Sequence, residues 1–210
     1  MPIGDEETGF NDSLGERVYE GVKAYVMSVA RPGQRLDMAA LAQRQRASLT
    51  PVRAALNRLT GEDLVEAHLN LGFRTPPLSL SGLRDLYDLN RQLLVQASTV
   101  AKTRTGTDGI GTFVSSPERG VVRDVASLFQ VIGRRSGNAE IERIVKRLND
   151  RLHRVRMCEL AVLGDGVQEL GEMMAHQDDE RGAGLRRAIQ AYHRRRVKAI
   201  PDILAFAERR

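Results

Sequence analysis

Two polar side chains, Arg53 and Asn57, lie one helical turn apart in a segment whose apolar residues also recur with helical spacing. Those apolar residues, spaced i, i+3, i+4 and i+7, are Val52, Ala55, Leu56 and Leu59. Arg53 lies off that apolar stripe, so its guanidinium points away from the core and can form paired hydrogen bonds with guanine or with phosphate. Asn57 is the weaker candidate for the same contact. The alternative is that Arg53 is a solvated charge on an exposed helix face.

A predicted pair of short helices, within the segment from residue 31 to residue 75, positions these side chains. The first helix has apolar residues at helical spacing: Leu36, Met38, Leu41 and Ala42. Ser48 or Thr50 can cap the second helix, and Pro51 falls in its first turn, where the missing N–H costs nothing. Gly61 ends this helix.

A two-stranded β ribbon is predicted directly after these helices. Its strands cover residues 64–68 and 72–75, and residues 69–71 join them, with Asn70 and Gly72 able to supply the turn. Helix, turn, helix and β ribbon form a layout that presents its second helix to the major groove of DNA. The pattern therefore predicts a winged helix-turn-helix.

The composition bounds the rest of the protein. Of 210 residues, 4% are aromatic and none is Trp, so the core is built from Leu, Val, Ile, Ala and Met, a set that favours helices. No run of about 18 apolar residues occurs, so we expect no membrane span. The single Cys158 cannot form an internal disulfide, which fits a reducing cytoplasm, and we expect it to be a buried thiol.

The predicted fold is mainly α, with an N-terminal winged helix-turn-helix and an all-α helical bundle. We divide the chain into a flexible tail (1–12), a DNA-binding domain (13–75), a linker (76–80) and a helical domain (81–210). Predicted helices cover residues 14–29 before the helix-turn-helix and 81–105, 118–135, 139–163, 167–179 and 183–207 after it, the last containing Pro201. Residues 106–117 form a Gly- and Ser-rich break.

The charge supports a nucleic-acid partner only weakly. The net charge is +5 and the pI is about 9.8. Residues 1–78 carry 9 Lys and Arg against 10 Asp and Glu, and residues 79–210 carry 23 against 17. The basic excess is therefore not concentrated in the predicted DNA-binding domain.

Residues 15–75 resemble the winged helix-turn-helix of the GntR family of bacterial transcription regulators. The residues that carry the resemblance are Arg31-Pro32-Gly33, Leu36, Leu41-Ala42, Ser48, Thr50-Pro51-Val52-Arg53, Ala55-Leu56, Arg58-Leu59, Leu64-Val65 and Gly72-Phe73. The helical remainder, through residues 83–91 and 129–138, resembles the ligand-sensing domain of the FadR branch, often called FCD. The resemblance implies a homodimer that binds a palindromic operator in double-stranded DNA.

Carried over position by position, the DNA contacts implied by the resemblance fall on Ser48, Thr50, Arg53 and, at the wing tip, Gly72. Three positions depart from the family pattern. Leu49 stands where the family usually has Arg, and Ala39 stands where a polar or basic residue is common. Arg46 replaces the usual Gly of the turn, where a left-handed residue costs about 1 kcal/mol. We hypothesise that Arg44 and Arg46 restore charge toward the DNA backbone.

Many FCD domains bind a metal ion through one Asp and three His. The first two of those positions here are Ala126 and Gln130, and only His193 matches a family ligand. Because one imidazole cannot hold a metal ion against water, we predict no metal of the family type and no cofactor. A different site that uses Asp124, His153 or His176 stays open.

An organic acid is the alternative ligand of the helical domain. His193 and Gln130 could hydrogen-bond such an effector directly, with Arg91 or Arg123 supplying positive charge. The other interpretation is that His193 and Gln130 are ordinary inward polar residues bonded to each other or to water.

Catalysis is not predicted, because the four histidines are scattered and no serine lies in a nucleophile elbow. Two arginine runs, 186–187 and 194–196, could bind phosphate, although the solvated face of a helix is the more usual explanation. The leading hypothesis is a homodimeric, ligand-responsive repressor. The alternative is a constitutive DNA-binding or adaptor protein whose helical domain has lost ligand and metal sensing.

Overall fold

A computed structural model describes residues 5–100, 120–176 and 182–209, with side chains from residue 14 onward. The chain divides into two compact units, with the boundary between Leu78 and Ser79. The described residues form eight helices and one three-stranded sheet, so the predicted mainly α fold is confirmed. None of these helices is long and apolar enough to cross a membrane.

The first unit contains three helices and the sheet. Its elements are α1 (Asp5–Ser28), β1 (Arg35–Leu36), α2 (Met38–Gln45), α3 (Leu49–Gly61), β2 (Glu66–His68) and β3 (Gly72–Arg74). The strands are antiparallel in the order β1-β3-β2, with Glu66 opposite Arg74 and His68 opposite Gly72. Helix α1 begins at Asp5, so residues 5–12, which we expected in a flexible tail, are helical.

The third strand, β1, corrects the prediction that Leu36 belongs to the first short helix. Leu36 pairs with Phe73 of β3, and α2 begins only at Met38. Asp37 fixes that start because its Oδ1 accepts the N–H groups of Ala39 (2.8 Å) and Ala40 (3.2 Å). Leu36, a strand residue two positions before α2, thus packs in the same core as Leu41 and Ala42 of that helix.

Helices α1 and α3 enclose most of the core of the first unit. The core side chains include Val18, Val22, Val26, Leu36, Leu41, Val52, Leu56, Leu59 and Val65. The helical spacing of Val22, Val26 and Val29 predicts one buried face of the opening helix, but Val29 lies just beyond the end of α1 and is half-exposed. A Cβ at Gly21 would lie 2.0 Å from the side-chain oxygen of Gln45, so a larger residue here would displace the end of that flexible side chain.

The second unit is helical throughout its described residues. Its helices are α4 (Leu80–Val100), α5 (Gly120–Arg135), α6 (Ala139–Leu163), α7 (Gly166–Ala175) and α8 (Ala183–Glu208). Pro201 lies within α8 without ending it. Helix α7 ends before the predicted residue 179, and the predicted end of α4 and the break at 106–117 lie outside the described residues.

The second core lies among these five helices, and α6 contributes a stripe with helical spacing. Phe129, Leu128, Val145, Leu152 and Ile189 are among its fully buried side chains. The apolar spacing of α6 also predicts Ile144 and Met157 on its buried side, but both are exposed at the flanks of the stripe. Cys158 is buried, as expected.

Candidate nucleic-acid interface

Helix α3 leaves one face uncovered. Its apolar side enters the core, where Val52, Leu56 and Leu59 are fully buried. The four residues predicted to contact DNA from this segment are all exposed: Ser48, Thr50, Arg53 and Asn57. Arg53 makes no salt bridge within the described part of the chain, so its guanidinium is available to a ligand.

The first turn of α3 is also open. Ser48 holds the N-cap position by its backbone (φ −77°, ψ 172°), but its side chain makes no capping hydrogen bond. Thr50, the alternative cap, lies inside the helix. The free N–H groups of a helix N-terminus carry partial positive charge and bind phosphate oxygens. This end of α3 can therefore accept a phosphate together with the Ser48 hydroxyl.

The turn before α3 has the strained geometry predicted for it. Arg46 adopts the left-handed conformation (φ 49°, ψ 51°) and is exposed. Arg44 is exposed as well, with its guanidinium 5.2 Å from the centre of the Tyr25 ring. From residue 38 to residue 61 the sequence contains four arginines and no Asp or Glu. The helix-turn-helix is thus locally basic although the first 78 residues together carry a slight negative charge.

The fourth of those arginines, Arg58, links α3 to α1 instead. Its Nη1 lies 2.7 Å from Glu16 Oε2, and its guanidinium lies 3.6 Å from the centre of the Tyr19 ring. Glu62 accepts hydrogen bonds from Tyr19 (2.7 Å) and Lys23 (3.1 Å). Burial alone would raise the pKa of Glu62, but these bonds and the neighbouring cations bring it below its usual value. This flank of α3 is therefore occupied by the protein's own charges.

The wing presents leucines at its tip. The Leu71 N–H donates to the carbonyl of His68 (3.2 Å), and Asn70 (φ 63°) and Gly72 (φ 78°) take the left-handed conformations predicted for the turn. Leu69 is 94% exposed and Leu71 is also exposed. Since the turn contains no lysine or arginine, its contact with a nucleic acid would be mostly apolar.

In the second unit, a groove of about 540 Å³ between α4 and α8 brings together two of the four predicted effector contacts, Arg91 and His193. The other charged side chains that line it are Arg84, Asp88, Arg194 and Lys198. Asp88 is the only carboxylate in that lining, and its Oδ1 lies 3.6 Å from Arg91 Nε. The groove is therefore basic and suits an anionic ligand.

The imidazole of His193 is buried and hydrogen-bonded on both sides. Nδ1 lies 2.7 Å from the carbonyl oxygen of Ile189 and donates to it, while Nε2 lies 2.9 Å from Oδ1 of Asn90. Burial lowers the pKa of His193 to about 3, and the charge of Arg156 acts in the same direction. The neutral ring accepts at Nε2, so the Asn90 amide is best assigned with its oxygen and nitrogen exchanged. That exchange also gives the buried Asn90 Nδ2 a partner.

The other two predicted effector contacts lie elsewhere. Gln130 on α5 lies 3.4 Å from the backbone oxygen and the side chain of Glu142 on α6. Arg123, on the same helix as Gln130, is exposed. Only Arg91 and His193 thus share a surface, and His193 has internal partners for both ring nitrogens.

A buried arginine, Arg156 on α6, was missed by the sequence interpretation. It is 2% exposed, its Nη1 donates to Asn149 Oδ1 (2.9 Å), and its guanidinium lies 5.2 Å from the centre of the Phe129 ring. Its Nε and Nη2 have no hydrogen-bond partner among the described residues. Arg156 follows Leu152 by four positions, in phase with the apolar stripe of α6, and this spacing is the signal that could have identified it.

The arginine run 194–196 is divided between surface and core. Arg195 bonds to Asp165 (2.6 Å), and Arg196 is buried with its Nε 2.7 Å from Glu159 Oε2. Tyr87 donates to the other oxygen of Glu159 (2.5 Å). The run therefore does not form a single solvated face, because Arg196 lies in the core. No group of three or more His, Cys, Asp or Glu that could hold a metal ion occurs among the described residues.

Residues 14–74 match the family model described as bacterial regulatory proteins, gntR family. Among curated proteins, the chain is 40% identical over 78 residues to the Nta operon transcriptional regulator of Aminobacter aminovorans. That alignment covers 37% of each protein, so the chain matches little more than a third of this relative. The matched family and this relative are described as regulators.

Two solved structures are similar to the chain over most of its length. E. coli McbR/YncC has a TM-score of 0.66 at 16% identity and covers 90% of this chain and 97% of its own. A putative GntR transcriptional regulator from Rhodococcus sp. RHA1 has a TM-score of 0.67 at 15% identity and covers 92% and 98%. These likenesses concern the fold, a gntR-type winged helix followed by a helical domain. Membership of the FadR branch stays a prediction.

Proposed function

We propose that this chain is a gntR-family transcription regulator that binds double-stranded DNA through α3 and the wing. The proposal rests on the uncovered face of α3. Ser48, Thr50 and Arg53 are exposed on this face, and the apolar residues on the other side of the helix are buried in the core. The match to the gntR model covers this same segment. In this role Arg53 and Asn57 contact base edges, while Ser48 and the open helix N-terminus bind phosphate.

Electrostatics supports the same orientation. Arg44, Arg46 and Arg53 are exposed arginines of the helix-turn-helix that make no salt bridge within the described part of the chain, and no carboxylate lies between residues 38 and 61. Phosphate contacts by Arg44 and Arg46 would supply affinity without sequence preference and would make binding depend on salt. Arg58 and Glu62 hold α3 against α1, which keeps the reading face pointing outward.

We further propose that the protein acts as a homodimer on a palindromic operator, since two copies of one reading helix match two half-sites related by a twofold axis. The second unit would bind a small organic acid, and the whole protein would act as a ligand-responsive repressor. Two features favour an anion: the basic groove that contains Arg91 and His193, and the buried Arg156, which lacks a carboxylate partner among the described residues. A buried guanidinium without a counter-charge is costly, and an anionic effector would offset that cost.

The DNA-binding proposal is tested by selecting a high-affinity duplex from a random pool with the full-length protein. Arg53→Ala should weaken binding to that duplex at least tenfold and relax the preference at one base pair in each half-site, since a bidentate contact is worth about 1–3 kcal/mol. The matched control is Arg187→Ala, which removes an exposed arginine of α8. Failure to enrich any duplex at low salt would contradict the proposal.

Ligand sensing is tested by thermal-shift measurements with a panel of small mono- and dicarboxylic acids. A ligand should raise the melting temperature of the wild-type protein and leave that of Arg156→Met unchanged at the same concentration. The absence of any shift across the panel would favour the alternative, a constitutive DNA-binding or adaptor protein. The internal hydrogen bonds of His193 and Gln130 support this alternative, because they occupy two of the predicted effector contacts.

A further inference from the structure

Leu49 is the only large apolar side chain among the exposed residues of α3. It is the first residue of α3, directly after the N-cap Ser48, and it is 49% exposed. Arg53 follows four positions later and Asn57 eight positions later, so all three side chains lie on one face of the helix. Leu49 therefore belongs to the face that we propose reads DNA.

The fold of the first unit does not account for a leucine at this position. The partly buried apolar residues that pack against the first core include Met38, Ala47 and Phe73. Leu49 is not among them, and Val52 and Leu56 form the buried side of the same helix. About half of the Leu49 side chain thus stays in water at the end of a helix where serine or threonine would be as compatible with the backbone.

The surroundings of Leu49 indicate what covers it. Thr50, Arg53 and Asn57 bring hydrogen-bonding groups to its surface, and the nearest exposed charges in the sequence, Arg46 and Arg53, are positive. An apolar protein partner would have to bury these polar groups without partners, which is costly. The major groove of DNA matches the mixture, because it offers phosphates, base-edge acceptors and one apolar group, the C5-methyl of thymine.

We propose that Leu49 reads a thymine by contact with its C5-methyl group, so that the preferred operator carries a thymine where the recognition helix begins. The inference rests on the proposed DNA-binding function and specifies the chemistry of one of its contacts. A leucine contact gives no hydrogen bond to either strand, so discrimination comes from burial of the methyl group and from shape.

The test is a thymine-to-uracil scan of the selected duplex with the full-length protein. Uracil differs from thymine only by the missing methyl group and keeps the Watson–Crick pair. One substitution in a single half-site should weaken binding about fourfold, the effect of one buried methyl group. The same substitution should have no effect on binding by Leu49→Ala.

Leu89→Ala is the matched control, because Leu89 is a leucine of similar exposure on α4. This variant should show the same uracil sensitivity as the wild-type protein. Uracil sensitivity of equal size in Leu49→Ala, or none in the wild-type protein, would overturn the inference while leaving DNA binding itself intact. A Leu49→Ala variant that changes the oligomeric state without altering the uracil response would assign Leu49 to a contact between copies instead. If the wild-type protein binds no duplex, it is the proposed function that fails.

Discussion

Two arginine–glutamate ion pairs of the same length, one in each unit, differ in their exposure to water. In the first unit Arg58 lies 2.7 Å from Glu16, and both side chains are more than half exposed. In the second unit Arg196 lies 2.7 Å from Glu159, and both are almost completely buried. Water screens the first pair, so it contributes little, whereas the second is surrounded by Tyr87, Tyr192 and the core.

The two units differ in where their charged side chains lie. The first unit leaves cations uncovered on one face, where Arg44, Arg46 and Arg53 can meet an external anion. The second unit also encloses charges in its core, where Arg196 is paired with Glu159 and Arg156 keeps two nitrogens without a hydrogen-bond partner among the described residues. An external polyanion suits the first arrangement. A small ligand that completes a buried charge suits the second.

Removing one partner of each ion pair should lower the free energy of unfolding by very different amounts. Glu159→Ala should lower the free energy of unfolding by about 3 kcal/mol, because Tyr87 loses its hydrogen-bond acceptor and Arg196 keeps only Glu169, the other carboxylate at 2.7 Å. Glu16→Ala should lower it by less than about 1 kcal/mol, since that pair is exposed. Urea denaturation of both full-length variants measures the two values. Equal losses would show that burial does not distinguish the pairs.

The second prediction concerns the pH dependence of stability. The pKa of His193 is about 3 in the folded protein and about 6.5 in the unfolded chain, because burial and the charges of Arg156, Arg196 and Arg91 disfavour the imidazolium. Between these values the unfolded chain binds a proton that the folded protein does not. The stabilisation is therefore complete above pH 6.5 and is lost as the pH falls toward 3.

Between pH 6.5 and pH 5 this imidazole should account for a loss of about 2 kcal/mol in the free energy of unfolding. Denaturation at a series of pH values measures the loss. His193→Gln should show a shallower dependence over the same interval, although His153, whose pKa is also lowered by burial, keeps part of the slope. Identical slopes in the two proteins would mean that His193 does not titrate as its surroundings indicate.

The smallest expected effect lies in the turn of the first unit. Arg46→Gly should stabilise the fold by less than about 1 kcal/mol, because glycine adopts the left-handed conformation without strain but loses more entropy on folding. The same change should reduce the slope of log affinity against log salt by about 1 for each protomer bound, as expected for one lost phosphate contact per protomer. Arg46→Asn is the control, since asparagine tolerates this conformation and also lacks the charge. An unchanged salt slope in both variants would separate Arg46 from the DNA interface.

The helical bundle and the winged helix-turn-helix could be predicted because local signals agree with the final structure. Pro51 and Gly61 mark the ends of α3, and Asn70 with Gly72 marks the turn of the wing. The strand β1 was missed because two residues give no periodicity, and its partner lies 37 residues further along the chain. Only the paired strand β3 makes those two residues a strand.

The predicted site divides in the same way. The exposed face of α3 follows from a periodic stripe within one helix, which is local information. The predicted set of Arg91, Arg123, Gln130 and His193 depends on how three helices, α4, α5 and α8, rotate relative to one another, and single-helix patterns do not contain that angle. Packing turns Gln130 toward Glu142 and leaves only Arg91 and His193 in one groove.

The sequence by itself determined where α3 begins and ends and which of its faces stays out of the core, because capping residues and apolar spacing act over a few positions. Tertiary structure alone decided which charges are enclosed. Arg194, Arg195 and Arg196 are identical in type and adjacent in sequence, yet one is exposed, one bonds to Asp165 and one is buried against Glu159. Each successive residue of a helix points about 100° away from the last, so its surroundings are set by whichever helix packs on that side.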